Sequence, residues 1–289
     1  MQEVFSPTQT ERWSQCSLLN LLVREGWEQR EPSPSLLGRL AGGAFAVGTA
    51  TLHRGIMDGT RSADMALIAR AHSDAASFLH AQVTRYTGAG IHLLDGQVAS
   101  LALDVQRGLE RYATYVPFPI TEPIVGVERT LQDAGECRVD LLLRGGGTDL
   151  IYPVDIKFRR QCKAEYIGRT VDDFLQSWQF LHNVWAVKLE YGARAATEHG
   201  LILVVLSPRF SVGVYSRWYA PETLAMWEAS AKQKWSDMAS ERAGQRQVTM
   251  AAVHKNQYGQ CPMYDACFTY HLDENLIQQT YARVPREVL

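Results

Sequence analysis

Three short apolar-rich runs separated by two turns constrain this chain more than any other feature. Residues 123–132, 137–144 and 149–158 read as strands. The links between them, Asp133-Ala-Gly-Glu136 and Gly145-Gly-Gly-Thr148, have the residues that tight hairpins need. An antiparallel meander follows, with sequence neighbours side by side in one sheet. Upstream, residues 35–112 are rich in Ala, Leu and Arg and carry helical periodicity, which predicts two to four helices broken near Gly59 and Thr87–Gly90. Ser6-Pro7 reads as a helix start, with Trp13, Cys16, Asn20 and Val23 on one helical face. Downstream come a helix at 171–191 starting at Asp172, strands at 200–207 and 210–219, and a helix at about 221–242. The order of helices, three strands, helix, two strands and helix predicts an α/β mixed sheet flanked by helices. The texture changes at Tyr115-Val-Pro-Phe-Pro. We therefore expect one domain with a helical part (1–115), an α/β core (116–220) and a C-terminal helix and tail (221–289).

Composition narrows the function classes. A chain of 289 residues can bury a sizeable core. With 29 Lys and Arg against 31 Asp and Glu, the formal charge of −2 excludes a surface uniformly coated in positive charge. Any nucleic-acid contact must come from a local patch. No apolar run reaches the roughly 18 residues of a membrane span. The first residues, MQEVFSPTQTERW, lack the basic and apolar regions of a secretory signal. A soluble, cytoplasmic protein without a membrane partner is expected. The five cysteines, at 16, 137, 162, 261 and 267, are odd in number and too few for a disulfide scaffold. They fit a reducing compartment, where paired cysteines more often bind metal.

The meander carries the chemistry. Asp140 and Asp155 have their midpoint inside the glycine turn, and Glu128 and Asp140 have theirs inside the Asp133–Glu136 turn. In antiparallel pairs such residues are opposed, so Glu128, Asp140 and Asp155 should meet across three strands. Carboxylates at that spacing repel one another unless protonated or bridged by a cation. A register slip of one residue would instead turn them onto opposite faces. Asp155 and Lys157 share a face of their strand while Ile156 points into the core. Carboxylates beside an ammonium suit metal-assisted hydrolysis at a phosphate.

Gly135-Glu-Cys-Arg-Val-Asp140 followed by Pro153-Val-Asp155-Ile-Lys157 resembles the signature of the PD-(D/E)XK nucleases. Gln179-Phe-Leu-His-Asn183 resembles the QxxxY motif of their RecB-like branch, with Asn183 in place of the tyrosine and Gln176 opening a rival alignment. Gln176, Gln179 and Asn183 are spaced to share one helical face. Gly48-Thr-Ala-Thr-Leu-His53 resembles that branch's glycine–histidine motif, with one extra residue between the two. The resemblance implies a restriction-endonuclease-like mixed sheet and a DNA nuclease, expected to be an exonuclease on single strands or ends. It further implies that His53, Asp140, Asp155 and the Ile156 carbonyl bind Mg²⁺ or Mn²⁺, with Glu128 nearby. Lys157 would place water or neutralise charge, and Gln179 would hold substrate or the lysine. An endonuclease, or a non-catalytic DNA-binding scaffold on the same fold, is the alternative.

Residues 157–169 hold five Lys or Arg against one Glu. Read as a loop, this run offers Arg159, Arg160 and Lys163 to a DNA backbone; otherwise it is a solvated stretch. The tail, His254 to Cys267, resembles the C-terminal motif of AddB-type and CRISPR-associated RecB-like nucleases, where cysteines from both chain ends hold a 4Fe–4S cluster. Cys16, Cys261 and Cys267 match that set, and His254 is the nearest substitute for the missing cysteine. A structural Zn²⁺ on the same ligands, or no metal, is the alternative. Cys137 and Cys162 are not expected as ligands. Partner proteins of a recombination, repair or CRISPR-type complex remain open in this reading.

Overall fold

A computed structural model describes residues 9–10, 13–14, 16–115, 123–131, 137–145, 147–246, 255–256, 259–260, 263, 266–267 and 272–285. Ser6-Pro7, His254 and Cys261 lie outside them. Near the N-terminus come α1 (Ser17–Arg24) and the short strand β1 (Trp27–Gln29), then three long helices, α2 (Pro34–Met57), α3 (Met65–Gly88) and α4 (Asp95–Tyr115). Local chemistry sets their starts. Ser33 caps α2 by accepting the Leu36 N–H, and Pro34 fits the first turn, where no N–H is needed. Asp64 caps α3 by accepting from the N–H groups of Ala66 and Leu67. Helix breaks fall at the expected places.

The α/β part follows: β2 (Ile124–Leu131), β3 (Cys137–Arg144), β4 (Ile151–Gln161), α5 (Ala164–Leu175), α6 (Trp178–Tyr191), β5 (Glu198–Ser207), β6 (Ser211–Trp218) and α7 (Pro221–Arg242). The strands form one five-stranded mixed sheet in the order β2-β3-β4-β5-β6. The first three strands are the antiparallel meander, β4 and β5 are parallel across the α5–α6 crossover, and β6 returns antiparallel. Leu141 faces Val154 and Arg129 faces Val139, which is the register that the turn midpoints predicted.

Both faces of the sheet are covered. Helices α2–α4 pack Phe45, Leu52, Leu109 and Tyr112 onto Leu141, Leu143, Val154, Ile156, Ile202 and Val204. They approach closely because the chain is small where they meet. A Cβ on Gly48 would lie 2.5 Å from Leu109 Cδ1, and one on Gly108 would lie 2.9 Å from Phe158. On the opposite face, Trp185, Trp227 and Trp235 of α6 and α7 cover Leu131, Val139 and Leu142. Val171, Leu175 and Phe180 cover Leu201, Leu203 and Val205. The chain ends meet separately: β1 pairs with β9 (Tyr281–Arg283), which follows α8 (Glu274–Thr280), and β7 (Lys255–Asn256) pairs with β8 (Gly259–Gln260).

Three expectations need correction. The helix expected over 171–191 is two helices, broken at Gln176 and Ser177, and Gln176 caps the first of them. It therefore does not share a helical face with Gln179 and Asn183. The basic run is not a loop: Lys157 to Gln161 continue β4 alongside β5, and α5 begins at Ala164. Cys16 does not continue a helix from Trp13. Its backbone is extended, and its Sγ accepts the Leu19 N–H as the N-cap of α1. Among the described residues, no helix is long and apolar enough to cross a membrane.

Candidate functional site

The meander brings the acidic residues together through a local irregularity. Along β3, Cys137 and Val139 face the tryptophan side of the sheet, whereas Leu141 and Leu143 face the N-terminal helices. The alternation reverses at Asp140. The partner strand does the same at Glu128, whose φ of 48° is left-handed for a non-glycine residue. Ladder pairing between β3 and β4 stops at Leu141↔Val154. Beyond that point the Asp140 side chain fills the gap, its Oδ2 accepting the Ile156 N–H at 2.7 Å. A regular meander, as read from the sequence, would have set all three carboxylates upright on one face. The kink instead turns Asp140 toward the backbone beside Asp155.

Asp155 is fully buried in the sheet. Its Oδ2 lies 2.8 Å from Lys157 Nζ, and its Oδ1 accepts from Asn183 Nδ2 at 3.3 Å. Lys157 also donates to Gln179 Oε1 at 3.2 Å. Helix α6 thus delivers Gln179 to the lysine and Asn183, four residues later on the same face, to the aspartate. Glu128 pairs with Arg138 at 2.9 Å.

The charges do not balance. Burial, then repulsion from Asp155, pushes the Asp140 carboxyl up to about 7, although Lys157 and the Ile156 N–H oppose this. Burial likewise raises Glu128, against the pull of Arg138 and Arg54 and with the push of Asp155. Burial works to strip Lys157 of its proton, but Asp155 and Asp140 more than offset it and hold the ammonium above its ordinary range. The lysine is therefore a fixed positive charge rather than a base. One ammonium stands against one buried and one half-buried carboxyl, and that surplus of oxygen donors fits a hard divalent cation. The two aspartates supply that fit. His53 is buried on α2, where its Nε2 shares a hydrogen bond with Tyr112 Oη at 3.1 Å, and burial lowers it to about 4. Asp140 helps to raise the Tyr112 phenol, after burial. Among the described residues, no group of three or more His, Cys, Asp or Glu is placed to hold a metal ion.

One residue here, His199, was not singled out in the sequence, and Cys137 was named there only as a cysteine not expected to bind metal. His199, at the head of β5, stacks on Phe180 with ring centroids 3.8 Å apart. Burial lowers it to about 4, so its neutral Nε2 accepts from Asn183 Nδ2 at 3.2 Å. Cys137 donates to Asn183 Oδ1 at 3.2 Å, and burial pushes its thiol up to about 12. Asn183 is thereby fixed from both sides. A histidine opening the apolar run of β5 was the available signal.

The basic residues divide. Arg160 pairs with Asp104 at 2.6 Å and reaches Ser100, and Arg159 lies over the Phe174 ring at 5.2 Å. Lys163 is exposed at the start of α5. Cys16 and Cys267 pack against one small core made of Leu18, Leu22, Trp27, Met263, Ala266, Ile277 and Tyr281. The chain matches no protein-family model and no curated protein.

Proposed function

We propose that the protein is a divalent-metal-dependent DNA nuclease of the RecB-like PD-(D/E)XK kind, acting on single strands or DNA ends. One observation carries this reading. Asp155, buried in the sheet, pairs with the ammonium of Lys157, which Gln179 holds in place, and half-buried Asp140 on the adjacent antiparallel strand adds a second carboxyl within their electrostatic reach. Asp140 and Asp155, with the Ile156 carbonyl and His53 as further candidates, are the residues that would hold Mg²⁺ or Mn²⁺. When bound, such an ion polarises a phosphodiester oxygen and lowers the pKa of water. Lys157 then offsets charge developing at the phosphate, and Asn183 keeps the Asp155 carboxylate oriented. A 4Fe–4S cluster or Zn²⁺ on Cys16, His254, Cys261 and Cys267 belongs to the same proposal, as a link between the chain ends.

A non-catalytic DNA-binding role is favoured by one observation, the engagement of both Asp155 oxygens by Lys157 and Asn183. One experiment separates the two: Mn²⁺-dependent cleavage of end-labelled linear and circular single-stranded DNA by the wild type, Asp140→Asn, Asp155→Asn and Lys157→Ala. Loss of cutting by roughly 10² or more in each variant supports the nuclease. Equal cutting by all four proteins, or none by the wild type, removes it.

A further inference from the structure

The turn of α4 that sets Tyr112 against His53 presents a different face to solvent. Arg111, Thr114 and Tyr115 lie there, exposed, and with Arg209 and Phe210 they line a cleft of about 370 Å³ between the end of α4 and the β5–β6 connection. The volume lies in the range of small-molecule sites. Its chemistry is two-sided. The Arg111 guanidinium sits over the Phe210 ring at 5.4 Å, and the Tyr115 and Phe210 rings lie with centroids 5.4 Å apart. Among the described residues, neither Arg111 nor Arg209 has a carboxylate within ion-pair distance. Arg160, Arg129 and Arg138 instead have carboxylate partners, Asp104, Glu190 and Glu128. Two guanidiniums beside two aromatic rings match an anion joined to a flat ring.

We propose that this cleft binds a nucleotide of single-stranded nucleic acid, its phosphate between Arg111 and Arg209 and its base against Tyr115 and Phe210. Stacking tolerates any base, and the arginines read only the backbone, so the site is not sequence-specific. Duplex DNA does not fit, because its bases are already stacked and cannot reach the rings. None of the five residues belongs to the carboxylate cluster, and the proposal goes beyond the nuclease reading in assigning a binding site outside it.

The test is fluorescence anisotropy with a labelled 12-mer of thymidine, an abasic 12-mer and a 12-base-pair duplex, all in EDTA so that nothing is cut. Tyr115, at 57% exposure, can be truncated without opening the core. Tyr115→Ala should weaken the thymidine 12-mer about tenfold and leave the abasic strand unchanged. Arg111→Ala with Arg209→Ala should weaken both single strands and reduce the slope of log affinity against log salt by about 0.7, the share of one lost phosphate contact. Wild-type affinity and salt slope in the double variant would overturn the proposal. So would an equal effect of Tyr115→Ala on both single strands, tighter binding of the duplex, or no binding by the wild type. Binding as proposed by a protein that never cuts DNA would overturn the nuclease reading alone. Cutting by a double variant of unchanged affinity would overturn the cleft alone.

Discussion

His199 is neutral in the folded protein because burial outweighs the attraction of Asp155, and its ring accepts from Asn183 only in that state. The sign of its effect on stability follows. Between about 6.5, its ordinary value, and about 4, its folded value, the unfolded chain binds the proton and the folded one does not. Stability is therefore complete above 6.5 and falls as pH drops toward 4. For this one group the loss at pH 5 is about 2 kcal/mol. His53 shifts the same way and Asp140 the opposite way, so the informative quantity is a difference between proteins. Denaturant melts of the wild type and His199→Gln at pH 7 and pH 5 should show a smaller fall in the variant. Equal falls would mean that His199 is already charged when folded. Lys157 allows a second prediction at this scale. Asp155 has no exposure and one ammonium partner, so Lys157→Met leaves a buried carboxylate uncompensated. A loss of several kcal/mol in urea melts at pH 8 is expected. His199 was not legible as part of the site, because its neighbours come from elements far apart in sequence, whereas Asn183 stood out only as the residue in the tyrosine position of the helix motif.

At the scale of elements, the glycine–histidine segment of α2 has a structural reason independent of any catalysis. Gly48 lets α2 lie against Leu109 of α4 and Ala71 of α3, and that contact carries His53 to Tyr112. Gly48→Val should push the helices apart and cost about 1–3 kcal/mol. Adding Leu109→Ala should recover part of the thermal stability, because it removes the methyl groups that clash. A double variant less stable than the sum of both single changes would place the clash elsewhere. Helix α1 offers a second case. The Cys16 thiol caps it, and a serine hydroxyl caps at least as well. Cys16→Ser should therefore keep the melting temperature of metal-free protein. If Cys16 also ligates the proposed cluster, the same change lowers the iron or zinc content of anaerobically purified protein. Metal content equal to the wild type would take Cys16 out of the ligand set.

Across the whole molecule, strand pairing and a small core tie segments near the two chain ends together. β1 pairs with β9, and Trp27 and Tyr281 are buried in the same small core. Deleting residues 281–289 should expose Trp27 and free β1. Tryptophan fluorescence would then shift to the red, and protease would cut first near the N-terminus, before the five-stranded sheet opens. Simultaneous loss of the sheet would show that the chain ends and the sheet unfold as one unit. The meander, its register and a run of two to four helices upstream could be read from the amino-acid order, because turn chemistry and periodicity are local and a hairpin's register follows from its turn. That order also brought Asp140, Asp155 and Lys157 into one neighbourhood, since all three lie within a single hairpin. How they stand depends on the packing of the folded chain. The reversal at Asp140 and Glu128, the break at Gln176–Ser177, and the pairing of Arg160 with Asp104 all depend on what packs against them from elsewhere. A backbone kink or a buried partner leaves no period in the sequence, because its energy comes from contacts that exist only after the chain has folded.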